Sequence, residues 1–273
     1  ELDLTAGDAT IDQQLHDAVP NSLARVMDSL FDQEAYKRII ELENEIHHPT
    51  FSLGGKLDLQ LKIEHDDRTD SGVELSGSIA YKDIGILLKD FQYPLVLRNG
   101  HVILDNKGLH VPEDSFIRFE GYSGGKGWAA GSIIFLEGGG ASPVLSIKLE
   151  SEKANPILVE AVSESAGESY ELAAGILGGL GLDSEIFASG TVIGDENGKI
   201  DTEFVVEIAN GISRPNEKFA HAINATGPFW PENFEFTSID AEIHIKNGAV
   251  SMDGVTCKCG DGSLEASMTI DKG

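Results

Sequence analysis

Basic residues are scarce in this chain. It carries 20 Lys plus Arg against 46 Asp plus Glu in 273 residues, a formal net charge of −26. Phosphate backbones would be repelled, which excludes nucleic acid as a partner. An anionic bilayer surface would be repelled as well, so any membrane contact falls to segments outside this chain. Cysteine is nearly absent, with only Cys257 and Cys259. Two apart in an alternating strand, they share a face. Strand geometry would strain a disulfide between them, and two thiolates without C-x₂-C spacing make no zinc site. They read as small apolar fillers, and they leave the redox compartment open. There is no apolar run of about 20 residues, the length a spanning helix needs, and no signal peptide. The chain starts inside a strand at Glu1-Leu2 and stops at Asp271-Lys272-Gly273. It reads as a piece of something longer, with any export signal or anchor outside it.

Motifs that carry chemistry are missing too. Gly121-Tyr122-Ser123-Gly124-Gly125 matches G-x-S-x-G, but a hydrolase elbow needs a helix after the serine. Trp128 to Phe135 reads as a strand, so the match is a glycine-rich turn. Gly124-Gly125-Lys126-Gly127 has no Ser or Thr after the lysine and is not a phosphate loop. Gly178-Gly179-Leu180-Gly181 lacks the third glycine of a dinucleotide loop and follows a helical stretch. No D-x-D-x-D-G calcium loop occurs. The histidines form neither H-x-H nor H-x-x-x-H spacing, and His47-His48 reads as the polar end of a helix. Paired carboxylates are uninformative in so acidic a chain. The triplet Asn224-Ala225-Thr226 is a glycosylation pattern of a kind that arises by chance. The reading is non-enzymatic, with no catalytic set, no metal and no cofactor.

What is present is a pattern stated twice. Each half opens with a short alternating strand, Leu2-Asp3-Leu4 and Leu145 to Leu149, and continues with a helical stretch through Ala18-Val19 and Ala161-Val162. Alternating strands follow, then Phe91-Gln92-Tyr93 and Phe234-Glu235-Phe236, then hairpins turning at Asn106-Lys107-Gly108 and Asn247-Gly248. The offset is about 143 residues at the helix and the aromatic pair, with indels elsewhere. Residues 1–138 form one repeat with a helical insert at 11–48, and 144–273 a second with an insert at 156–180, joined by Gly138 to Pro143. Pro20 should break the first helical stretch. The 31 glycines suit many short strands joined by turns. Gly227 to Pro231, with Trp230, is a stiff aromatic loop whose rings suit covering the end of a core, with a membrane-dipping tip as the alternative.

The strands put apolar residues on one parity and charge on the other, as in a sheet with one buried face. The fold class is mainly β with helices (α+β), antiparallel. On the apolar parity lie Leu57, Leu59, Leu61, Ile63, Val73, Leu75, Ile79, Ile117, Phe119, Ile133 and Phe135. In the second half the same parity holds Phe204, Val206, Ile208, Ile243, Ile245, Leu264, Met268 and Ile270. Parity leaves three covers open: a sandwich, the helix of the same repeat, or a curl into an apolar trough. An apolar concavity would take lipid acyl chains.

The order of elements resembles the AsmA-like family of bacterial envelope proteins, which includes the TamB-like proteins. The resemblance is carried by Asp17-Ala18-Val19-Pro20, Gly55-Lys56-Leu57-Asp58-Leu59, Phe91-Gln92-Tyr93-Pro94-Leu95, the Asn106-Lys107-Gly108 turn and Gly121 to Ile133. The second half matches more loosely, with no counterpart of Pro94. The resemblance implies a twisted antiparallel sheet curled around an apolar groove that holds phospholipid acyl chains. It also implies a periplasmic location, with anchoring in the inner membrane by a segment absent here. Two other readings stand beside it: an assembly module that binds partner chains by strand addition, and an enzyme on a β scaffold acting on a cationic or polysaccharide substrate.

Overall fold

The computed structural model describes residues 1–34, 36–37, 52–65, 73–88, 91–136, 140–155, 157–158, 161, 181–196, 199–214, 234–246, 249–259 and 261–270. The strands are β1 (Leu2–Thr10), β2 (Gly54–His65), β3 (Val73–Leu88), β4 (Phe91–Leu97), β5 (Gly100–Asp105), β6 (Gly108–His110) and β7 (Ile117–Gly121). They continue with β8 (Lys126–Phe135), β9 (Ala141–Lys153), β10 (Leu182–Gly194), β11 (Ile200–Ser213), β12 (Phe234–Lys246), β13 (Ala249–Cys259) and β14 (Gly262–Ile270). All 14 belong to one antiparallel sheet. Two short helices, α1 (Gln13–Ala18) and α2 (Asn21–Leu30), connect β1 to β2.

The sheet has twelve lanes, because four of the strands share two of them. β4 and β5 run end to end along β3, pairing with its 84–88 and 76–81 stretches respectively. β6 and β7 likewise run end to end along β8, at 132–134 and 126–129. From β8 onward the lanes follow chain order as a meander to β14, and β8 pairs with β9 along its length, so the sheet passes residue 138 without a break.

Local chemistry sets the helix boundaries. Asp12 caps α1, its Oδ1 accepting the Leu15 N–H at 3.0 Å. Pro20 separates α1 from α2, where the sequence predicts a break, because its ring cannot continue the first helix but suits the start of the next. The long helical inserts expected at 11–48 and 156–180 are described only in part. Beyond α2, residues 33–34 and 36–37 are helical, as are 157–158 and 161, and the remainder of both inserts lies outside the described residues. So do His47-His48, Asn224 and the Trp230 loop.

Strands are longer than alternation alone suggests where a bulge resets the parity. Of the stretch 84–95, irregular by sequence, 84–88 belong to β3 and 91–95 to β4. Asp83 sits in β3 with φ +52, and the inner-face residues change from Ile79 and Tyr81 to Ile84 and Ile86. The G-x-S-x-G stretch is the β7–β8 turn, closed by Gly124 N–H to Gly121 O at 2.9 Å, with Gly124 at φ +83.

The core divides between the two ends of the sheet. α2 lays Leu23 and Val26 on Leu59, Leu61, Ile79, Leu104 and Leu109, with Leu57, Leu75, Ile133 and Phe135 packed around them. Tyr81, Ile84 and Ile86 continue this core toward Phe31 and Ile117. A separate, smaller core in the second half joins Ile208, Phe236 and Cys257.

Candidate functional site

Among the described residues, one face carries apolar positions in rows from the first lane of the sheet to the last. Directly opposed residues in adjacent strands share a face, so the register traces rows across it. One row runs Leu4, Leu61, Gly77, Leu104, Leu109, Ile133, Pro143. Another starts at Ile117 and runs Ala129, Ile147, Gly190, Phe204, Ile243, Met252, Met268. All 19 sequence-derived lining positions fall on this face. Val73 pairs with His65, Ile245 with Thr202, Leu264 with Cys257 and Ile270 with Val250. Their backbones, with those of Ile243 and Met268, are what the structure describes.

Cover differs sharply along the face. Under α2, Leu59, Leu61 and Ile79 are buried, and Leu57, Leu75, Ile133 and Phe135, themselves half-buried, pack against that cluster, so the helix occupies the face there. Ile63, Ile117 and Phe119 are half-buried. Over β9 to β11 the apolar residues Leu145, Ile147, Leu149, Val192, Phe204 and Val206 all stay half-buried, and burial returns at Ile208, on which Val206 packs. Leu145, Ile147 and Leu149 are legible as a strand, but the two-repeat reading made that strand the start of a half and left it out of the lining.

Aromatic rings on this face lie along the sheet. Phe119 faces Gly127, Phe204 faces Gly190, Phe236 faces Gly211 and Tyr81 faces Gly100, each as a direct cross-strand pair. A Cβ on each of these glycines would run into the opposing ring. The glycines therefore serve more than turns: inside strands they let a ring lie flat across the next lane, which keeps the face low and smooth. Burial pushes the Tyr81 hydroxyl up to about 12.

One polar cluster escaped the sequence. Glu152 is 2 % exposed, on the inner face opposite Ile186. Its Oε1 accepts the Lys153 N–H at 2.8 Å, and the Tyr93 hydroxyl and the Gly125 N–H also face its carboxylate. Gly121 and Gly125 make room for it, since a Cβ on either would strike the carboxylate. Asn155 completes the group, donating to the Tyr93 hydroxyl at 3.0 Å and Ser123 Oγ at 2.8 Å while its own Oδ1 accepts the Leu158 N–H. Burial raises the Glu152 carboxyl above its ordinary range, against the lowering effect of the Lys153 N–H and the Tyr93 hydroxyl. The group ties β9 to the turn after β7 and to Ile157 and Ala161, which pack on Leu87 and Tyr93. Two signals in the sequence point to it: Asn155-Pro156 is a helix start, and paired glycines flank the β7–β8 turn.

On the opposite face, Glu203, Glu242 and His244 bring three donor atoms within 4.8 Å of one another. His244 lies directly across from Glu203, and its Nε2 is 3.1 Å from Glu242 Oε1. Such a trio could hold a divalent ion, but both carboxylates are exposed, and clusters of this kind are expected in so acidic a chain. Among the described residues no helix is long and apolar enough to cross a membrane. Comparison with known protein families, with curated proteins and with solved structures returns no match for this chain.

Proposed function

We propose that this chain is a non-enzymatic segment of a cell-envelope protein that holds phospholipid acyl chains on its apolar sheet face. The observation that carries the reading is the contrast along that face. The apolar rows continue from the first lane to the last, yet α2 buries them only over the first half, while six apolar residues on β9 to β11 remain half-covered. The cargo site is therefore the stretch over β9 to β11, with Ile147 and Phe204 at its centre and Val206 at its border, where it packs on the Ile208 core. Each methylene buried there contributes about 0.8 kcal/mol, so a continuous lining matters more than any single residue.

Curvature supports a groove. α2 lies against both β3 and β9. On a flat sheet those lanes, four steps apart, would be roughly 19 Å from each other, against a helix about 10–12 Å across. The lanes also support two tandem repeats. β12 corresponds to β4 plus β5 and β13 to β6 plus β7, which gives six lanes in each half. The interruptions at Arg98-Asn99 and 111–116 belong to the first half alone. The resemblance to AsmA-like proteins implies a periplasmic location for such a groove, with anchoring by a segment outside this chain.

Native mass spectrometry of the purified chain, with lipid extraction of the same sample, tests this. Phospholipid bound near stoichiometry is expected. A clean apo mass, with an unfolding transition that added phospholipid leaves unmoved, would overturn the proposal in favour of an assembly module.

A further inference from the structure

The polar face of the sheet carries an aromatic pair between two free cations. Phe116, just before β7, is 48 % exposed, and its ring meets that of Trp128 on β8 at a centroid distance of 4.8 Å, tilted by 48°. Trp128 is half-buried. Register sets Arg118 directly opposite Trp128 on β7 and Lys148 directly opposite it on β9. Neighbouring lanes are about 4.8 Å apart, so the backbones of the two cations lie roughly 10 Å from each other with Trp128 between them. Both cations are exposed, and among the described residues neither side chain has an ion-pair, hydrogen-bond or ring partner. In a chain with 46 acids against 20 bases, two such cations flanking one indole stand out. The arginine next along, Arg98, whose N–H donates to the Arg118 carbonyl, is by contrast tied to Asp83 and Glu120.

The surface beside the rings is free of acids. The row through Trp128 continues to Lys148 and Ser189, and the row next to it runs Ala130, Ser146, Thr191. Carboxylates resume outside these rows, at Glu150 on the near border and at Glu203 and Glu242 across the face. With short side chains around the rings, this part of the face is a flat platform. The anchoring side chains of a protein partner want pockets, and a second copy of the same patch would set cations against cations. A sugar ring fits the platform better. Its C–H groups lie on the electron-rich face of an aromatic ring, and Ser146, Ser189 and Thr191 offer hydroxyls to its own. The free cations call for negative charge on that sugar, and the Arg118 guanidinium presents paired N–H donors that match a carboxylate.

From this juxtaposition we infer that the polar face binds a glycan bearing carboxylate groups, with a sugar ring stacked on Phe116 and Trp128 and its carboxylates held by Arg118 and Lys148. The net charge of −26 repels a densely charged polymer. At physiological ionic strength that field is screened beyond about 8 Å, so a short glycan with spaced carboxylates meets the two cations and not the distant acids. The site lies on the face opposite the apolar rows and is independent of any lipid cargo.

The test is isothermal titration calorimetry of the full chain at physiological ionic strength with trigalacturonate and trimannuronate, against neutral maltotriose and hexaglutamate. The wild type should bind at least one of the two acidic glycans and should bind maltotriose and hexaglutamate more weakly. Trp128→Ala, Arg118→Gln and Lys148→Gln should each weaken binding about tenfold or more. Lys62→Gln removes the same charge elsewhere on the polar face, where Lys62 pairs with Glu1 and Glu64, and should bind as the wild type does. Circular dichroism and Tm identify the variants that fold normally; Arg118 and Lys148 are exposed, so their replacement leaves the core intact. Failure to bind either acidic glycan, equal binding of hexaglutamate, which would point to an acidic peptide instead, or equal effects of Lys62→Gln and Arg118→Gln would each overturn the inference.

Discussion

The Phe204 ring lies over Gly190, the residue directly opposite it on β10; a Cβ at Gly190 would stand 2.6 Å from ring Cδ1. The pair shows how a lining residue can be large without standing up into the space above the sheet. Gly190→Ala should press on the Glu203 carbonyl oxygen as well as lift the ring off the lane, and destabilise the fold by about 1–3 kcal/mol, the usual range for overpacking. Phe204→Leu in the same chain should recover part of that loss. Urea denaturation of the two single variants and the double variant reads the coupling.

The two halves of the apolar face should respond differently to the same insult. Leu61→Asp places a charge against Leu23 and Val26 under α2, where Leu61 is 5 % exposed. An unpaired buried charge there should cost roughly 3 kcal/mol or more and leave little folded protein. Ile147→Asp falls on the half-covered stretch, should leave the urea midpoint far less changed, and should abolish phospholipid co-purification. Equal damage from both would mean that the face is closed core throughout.

Glu152 gives the fold an acid-side component of stability. Burial holds its carboxyl above the ordinary value of 4.5 in the folded chain. Between the two values the folded state keeps a proton that the unfolded chain has lost. The contribution is therefore complete below 4.5 and declines as pH rises through the raised value. Glu152→Gln removes that titration while its amide oxygen still accepts the Lys153 N–H. Unfolding free energy measured over a pH series should fall with rising pH in the wild type relative to the variant across this window, and parallel curves would refute the assignment.

Arg98 spans the break between β4 and β5. Its Nη1 donates to Asp83 Oδ1 at 2.7 Å, and its Nε and Nη2 donate to Glu120 Oε2 at 3.1 and 2.6 Å. The group is half-exposed, so Arg98→Gln should cost only about 1 kcal/mol, and less in high salt. Thermal melts at two salt concentrations check both the size and the screening.

Some of this architecture was written in the residues. The alternation of Leu57 to Ile63, the turns at Asn106-Lys107-Gly108 and Gly121 to Gly125, the Pro20 break and the shared parity of the lining positions all depend on neighbours within a few residues, and simple periodicity reads them. Parity failed where one extra residue shifted it. By alternation Glu150 and Glu152 both point outward with Lys148, but β9 has one more residue than β8 beyond Leu149, and that bulge turns Glu152 inward. The Asp83 bulge hid the end of β3 in the same way.

The sequence by itself determined an antiparallel, one-sided sheet, because a period of two with charge on one parity permits little else. Tertiary structure alone decided what lies on the apolar side. Whether α2 buries a given leucine and whether a ring folds over a glycine both depend on contacts between residues tens of positions apart. Local pattern carries no record of those contacts, because the same apolar parity suits a closed core and an open groove equally well.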